Sequence, residues 1–234
     1  MTEAEWLECP YARLMLDFRR GKISPRKLGL YACACCRRIW HLLTDERSRM
    51  AVEVAERFAD GRAEKAEWYA ADEAATEAAD DAASSPSTAT SAVCCAVIDF
   101  AGPDAWEAAH ETGAHAAFAV EKSVKGKARK ETAYDTELAA QAGLLRDILG
   151  NPFRPVAVDP AWLTWNGGTI PKLAQAIYEE RRLPDGTLDA DRLAVLADAL
   201  EEAGCTAADI LSHCRQPGEH VRGCWVLDLI LGKS

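Results

Sequence analysis

The sequence predicts an all-α fold, a multi-helix bundle open to division into two packed helical subdomains. Three observations carry that prediction. Apolar residues recur at helical spacing through most of the 234 residues, capping residues, prolines and glycines mark where the segments start and stop, and nearly all nine cysteines fall inside apolar helical stretches instead of loops.

Glu3 to Leu7 and Tyr11 to Phe18 read as short helices separated at Pro10, and Gly21 ends the second. Ser24 then offers a hydroxyl N-cap and Pro25 the fixed φ of a first helical position. Leu28, Tyr31, Ala32, Cys35, Cys36, Ile39, Leu42 and Leu43 follow along one face, with Arg26, Lys27, Arg37, Arg38 and His41 opposite, so an amphipathic helix with a basic outer face is expected. Thr44 is placed to cap the next helix, with Asp45 and Glu46 against its positive end, and Gly61 stops it.

Residues 63–83 continue as an alanine-rich acidic helix anchored by Trp68 and Tyr69. A turn over 84–88 and helices over Ala89 to Phe100 and Pro103 to Val120 come next. The basic stretch 122–130 is the expected linker between an N-terminal helical region, 1–121, and a C-terminal one, 131–234.

In the C-terminal region Glu131 to Leu149 is helical and ends at Gly150, Asn151 and Pro152, while two prolines keep Phe153 to Asp159 extended. Helices follow at Ile170 to Arg181 and Ala190 to Ala203, with a turn at Pro184 to Gly186. Thr206 and Asp209 imitate a capping box for a helix ending near Cys214. Val221 to Leu231 is apolar nearly all round; periodicity allows a buried helix or a strand, and the helix is preferred. Asp228 within it then needs a donor.

The composition, 49% hydrophobic and 27% charged, is that of a globular chain. A net charge of -10 opposes general nucleic-acid binding, leaving only a weak salt-sensitive contact through the patches Arg19 to Lys27 and Lys122 to Lys130. The start Met1, Thr2, Glu3 is not that of a secretory leader, and no run reaches the ~20 apolar residues of a membrane helix, so a cytoplasmic protein is expected. There the cysteines stay reduced.

Cysteine and histidine fall into three clusters: Cys33, Cys35, Cys36 and His41; Cys94 and Cys95; and His213, Cys214, His220 and Cys224. Zinc takes four N or S ligands in a tetrahedron, and pairs such as Cys33 with Cys36 or His220 with Cys224 stand about one helical turn apart. Cys33, Cys36, His213, Cys214, His220 and Cys224 are therefore candidate ligands for zinc or iron. Against this, structural zinc pairs favour knuckles and turns, and a free thiol on an apolar stripe packs as a small hydrophobe. Packing is the preferred reading.

A thiol nucleophile formed from Cys36, Cys95 or Cys214 with His110, His115 or His213 lacks a nucleophile elbow and would carry a raised pKa. His110-Glu111-Thr112-Gly113-Ala114-His115 has one residue too many for a helical metalloprotease motif, since a spacing of five turns the imidazoles about 140° apart. Asn166 to Thr169 is a glycine turn before a helix, a weak anion-site signal, and Trp162 with Trp165 reads as a core plug.

Arg192-Leu193-Ala194-Val195-Leu196-Ala197-Asp198-Ala199-Leu200-Glu201-Glu202-Ala203-Gly204 resembles the helix of a repeat-companion domain found in large paralogous families of planctomycete bacteria. Glu3 to Leu7, Ala34 to Leu43, Gly150 to Val156, Trp162 to Thr169 and His220 to Lys233 resemble an uncharacterised family of the same organisms. The resemblance implies a lineage-expanded helical module with an interaction or regulatory role, and carries no reaction or ligand. The expected function is accordingly a non-enzymatic module that binds another protein, with the face of Arg26, Arg37 and Arg38 as one candidate surface. A zinc- or iron-binding protein is the alternative.

Overall fold

The computed structural model describes residues 1–83 and 105–233. Among these the chain forms twelve α-helices, two short 3-10 turns and no strand, which is the all-α bundle expected from the helical period. No helix among them is long and apolar enough to cross a membrane. The expected turn at 84–88, the helix at 89–100, the Pro103 entry, Cys94 and Cys95 lie outside the described residues. The chain separates into two compact units, Met1 with Glu8–Leu145 and Thr2–Leu7 with Arg146–Ser234.

Helix α1 (Glu3–Glu8) lies almost wholly in the second unit. The first unit is built from α2 (Ala12–Phe18), α3 (Pro25–Arg38), α4 (Glu46–Ala59), α5 (Lys65–Ala83), α6 (Ala105–Ser123) and α7 (Lys127–Leu149) as far as Leu145. Ser24 caps α3 as predicted, its Oγ accepting from the Lys27 N–H at 3.3 Å, with Pro25 at the first position. The α3 helix is shorter than its apolar stripe: it ends at Arg38, and Trp40–Leu42 continues as a 3-10 turn that still buries Ile39 and Leu43. The α4 cap is Asp45 instead of Thr44, because the Asp45 carboxylate accepts from the Arg47 N–H at 2.9 Å. Its neighbours within the unit are α3 with α4 and α6, and α4 with α5.

The basic face expected on α3 is not a free surface. Arg37 is 3% exposed and forks onto Glu56 of α4 at 3.1 and 2.9 Å. Arg38 forks onto Glu137 of α7 at 3.0 and 2.9 Å, and Arg26 onto Asp60 at 3.2 and 3.0 Å. Planar guanidinium groups match carboxylates on adjacent elements, so the arginines fasten helices together. The stretch 122–130, expected as a linker, is the end of α6, a break over 124–126 and the start of α7, and the division between units falls after Leu145. Lys127 faces Glu131 one turn on at 4.0 Å, so charged residues here continue a helix.

The second unit holds the last turn of α7, α8 (Pro160–Thr164), α9 (Thr169–Glu179), α10 (Ala190–Glu202), α11 (Ala208–Arg215) and α12 (Trp225–Leu231). Its core joins Ile170, Ile177, Leu193, Leu196, Leu200 and Leu227 with Cys205, Cys214 and Cys224, each large side chain worth about 1.5–3 kcal/mol of burial. Trp162 is buried in this cluster and Trp165 packs on it, as a core plug would. The expected capping box at Thr206 does not form, since the N-cap is Ala207 with no side-chain bond. The expected helix over 221–231 begins only at Trp225. Val221 is held by an isolated bridge to Thr187, and the Leu188 N–H donates to the His220 carbonyl at 2.7 Å, so residues 220–221 are extended.

Candidate metal centre

Four segments of the second unit meet at one buried point. Asp147 sits in the last turn of α7, His213 near the end of α11, His220 on the extended stretch, and Cys224 at the N-cap of α12. One ligand atom from each lies within 4.8 Å of every other, and exposures of 3%, 7%, 2% and 0% put the group inside the protein.

Asp147 organises it. Its Oδ1 lies 2.7 Å from His220 Nδ1 and 3.1 Å from His213 Nε2, while Oδ2 accepts from the Val221 N–H at 2.8 Å. Cys224 Sγ lies 3.2 Å from the same His213 Nε2. Behind the ring, His213 Nδ1 meets the Gln216 side-chain amide at 3.2 Å, which fixes the imidazole as an outer partner does for a ligating histidine. Gly150 follows α7 at φ +67 with the Trp225 indole 3.1 Å from where a Cβ would stand, so only a glycine lets the chain turn here beside α12.

Burial pushes the Asp147 carboxyl up, but hydrogen bonds from His213 and His220 outweigh it and hold the group below its ordinary value. Burial likewise opposes charge on His220, and the bond to Asp147 reverses that, leaving its pKa raised. The Cys224 thiol is pushed well above its ordinary value by burial and then by the Asp147 charge. A cation at this point would invert that balance and draw the thiolate out.

The geometry departs from that of a catalytic relay. A Cys-His-Asp triad uses opposite nitrogens of the imidazole, one toward sulfur and the other toward the carboxylate. Here sulfur and carboxylate face the same nitrogen, and the sulfur is wholly buried. One proton on Nε2 can be aimed at one of them, whereas a divalent ion satisfies both. Bond lengths of about 2.0 Å to N or O and 2.3 Å to S give tetrahedral edges of about 3.3 and 3.5 Å. The three short edges, 2.7, 3.1 and 3.2 Å, would open by about 0.2–0.6 Å, and the other three lie within 4.8 Å.

Of the six residues singled out in the sequence, His213, His220 and Cys224 come together. Cys214, next to His213 on α11, points about 100° away into the core, and burial raises its thiol to about 12. Cys33 and Cys36 are buried in α3 of the first unit, with Cys33 Sγ 4.0 Å from the Val52 carbonyl. They belong to no ligand group among the described residues. Asp147 was not among the candidates. A cleft of ≈ 280 Å³ reaches His213 from the Gln216 side and is lined by none of the other three. His110 and His115 lie on α6 in the first unit, and the turn at Asn166 to Gly168 leads into α9 with the Lys172 Nζ donating to the Gly167 carbonyl at 3.0 Å.

Compared with known protein families, curated proteins and solved structures, the chain matches none.

Proposed function

We propose that the protein is a non-enzymatic helical module whose second unit is held together by a structural zinc ion on Asp147, His213, His220 and Cys224. The supporting observation is the convergence of a carboxylate oxygen and a sulfur on one imidazole nitrogen inside a buried four-atom cluster. Two imidazoles, one thiolate and one carboxylate suit zinc, which accepts mixed N, S and O donors in a tetrahedron. Iron in a two-histidine, one-carboxylate site works through open positions, and four buried protein ligands leave none. The ion's role is then mechanical: it would tie the end of α7, α11 and the start of α12 to the bridge at Thr187. Such a module fits the interaction role that the planctomycete resemblance implies, with another protein as its partner.

The test is metal stoichiometry. Chain purified under reducing conditions, stripped with chelator and titrated with zinc should take up one equivalent, and His220→Ala should take up none at the same free zinc. Uptake below about a tenth of an equivalent in the unaltered chain would end the proposal.

A further inference from the structure

We infer that the first unit carries a binding site for a small uncharged molecule with an apolar, ring-sized body and a hydroxyl or amide head. The site is a cavity of ≈ 330 Å³ bordered by α2, α3, α6 and α7, independent of the metal centre. Its walls are mostly apolar, with Leu14, Leu16, Ala114 and Leu138 facing it, and Arg13 and His110 also border it. Such a volume is at the small end of ligand pockets, room for about ten non-hydrogen atoms.

The floor carries two polar groups on side chains that are each 1% exposed, Tyr31 and Gln141. The Gln141 amide nitrogen donates to the Gly113 carbonyl at 2.9 Å and to Glu137 Oε1 at 3.3 Å. Two acceptors on that side fix which way the amide points, so its oxygen is the atom turned elsewhere. That oxygen lies 3.0 Å from where a Cβ on Gly113 would stand, and the Tyr31 hydroxyl 3.1 Å from the same point. Burial, then the Cys35 thiol, keep the phenol well above its ordinary pKa and therefore protonated.

Gly113 is the second observation. A glycine within a 19-residue helix costs about 1 kcal/mol against alanine, and here a Cβ would crowd both floor groups, so the glycine keeps them where they face the cavity. A ligand hydroxyl or primary amide can donate to Gln141 Oε1 and accept from the Tyr31 O–H as that turns from the Cys35 thiol. A charged head on the floor is disfavoured because the half-buried Arg38 and the buried Glu137 already neutralise each other at 2.9 Å, and Arg13 stands at the exposed border.

Calorimetric and amide-NMR titrations with 4-ethylphenol, ethylbenzene and 4-ethylbenzoate read this out. We expect saturable one-to-one binding of 4-ethylphenol with a Kd between about 10 μM and 1 mM, and at least about tenfold weaker binding of the other two. Gly113→Ala should weaken 4-ethylphenol at least about tenfold, because its Cβ pushes the Gln141 oxygen and the Tyr31 hydroxyl from their places. Ala114→Trp, at an exposed position on the wall, should block entry without disturbing the core. Zinc removal should leave the titration unchanged. No saturable binding of 4-ethylphenol below about 5 mM, equal binding of ethylbenzene, or binding untouched in both folded variants would each overturn the inference.

Discussion

Replacing Cys224 by serine separates a metal ligand from a core thiol. The sulfur is fully buried and 3.2 Å from His213 Nε2, and a serine hydroxyl at that place keeps a hydrogen bond to the ring. The metal-free variant should therefore lose no more than about 1–2 kcal/mol. Zinc binding should respond very differently. Structural zinc contributes about 10–16 kcal/mol at neutral pH, so an even share among four ligands is about 2.5–4 kcal/mol, on the order of 10²–10³ in affinity. At free zinc one hundredfold above Kd, the unaltered chain gains about 2.7 kcal/mol, which raises the melting temperature of a chain this size by about 5–11 °C. At the same zinc, Cys224→Ser should gain less than about 0.5 kcal/mol. The assay is thermal unfolding with and without zinc, with Cys214→Ser as the control that keeps the full increment. Equal zinc increments in both variants, or none in the unaltered chain, would refute the reasoning.

The metal-free protein should be most stable between about pH 4 and 6.5. The lowered Asp147 pKa stabilises above the unfolded carboxyl value and fails as pH falls through the folded one, while the raised His220 pKa stabilises below the unfolded imidazole value and fails as pH rises through the folded one. Zinc competes with those protons and with that of Cys224, so its increment should be larger at pH 8 than at pH 6; denaturant titrations at both pH values check this, and a smaller increment at pH 8 contradicts it. Glu56→Ala takes from the buried Arg37 the carboxylate it forks onto at 2.9 Å, and urea unfolding should show a loss of about 3 kcal/mol; a loss under 1 kcal/mol would mean that the fork does not fasten α3 to α4. Gly150→Ala sets a Cβ against the Trp225 ring at a positive φ, so both stability and zinc affinity should fall, the former by at least about 1 kcal/mol in the same unfolding assay.

Local signals carried most of the fold. The Ser24-Pro25 start of α3 is legible because a cap and its helix lie within four residues, and the Ile170 stripe of α9 because burial recurs at the helical period. The capping errors at Thr44 and Thr206 arise because the cap falls one residue later, on Asp45 and on Ala207, a choice made by the path of the incoming chain. Likewise the run from Val221 is apolar enough for a helix, but the bridge to Thr187 keeps its first residues extended.

The candidate centre is half visible in the sequence. His213, His220 and Cys224 are close in sequence, whereas Asp147 is 73 residues before His220. One signal for it was present: Leu144, Leu145 and Ile148 are buried on one face of α7, and Asp147 shares that face, where an acid calls for partners. The arginines of α3 mislead for a related reason. Opposite an apolar stripe they look like a solvated face, yet a further helix lies on that side too, and carboxylates 19 and 99 residues away reach them.

X-ray absorption at the zinc edge of the reconstituted chain interrogates the centre itself. The account expects four-coordinate zinc with one sulfur near about 2.3 Å and three nitrogen or oxygen atoms near about 2.0 Å, the sulfur shell vanishing in Cys224→Ser. A six-coordinate, sulfur-free shell, or a sulfur shell that survives that substitution, would contradict it.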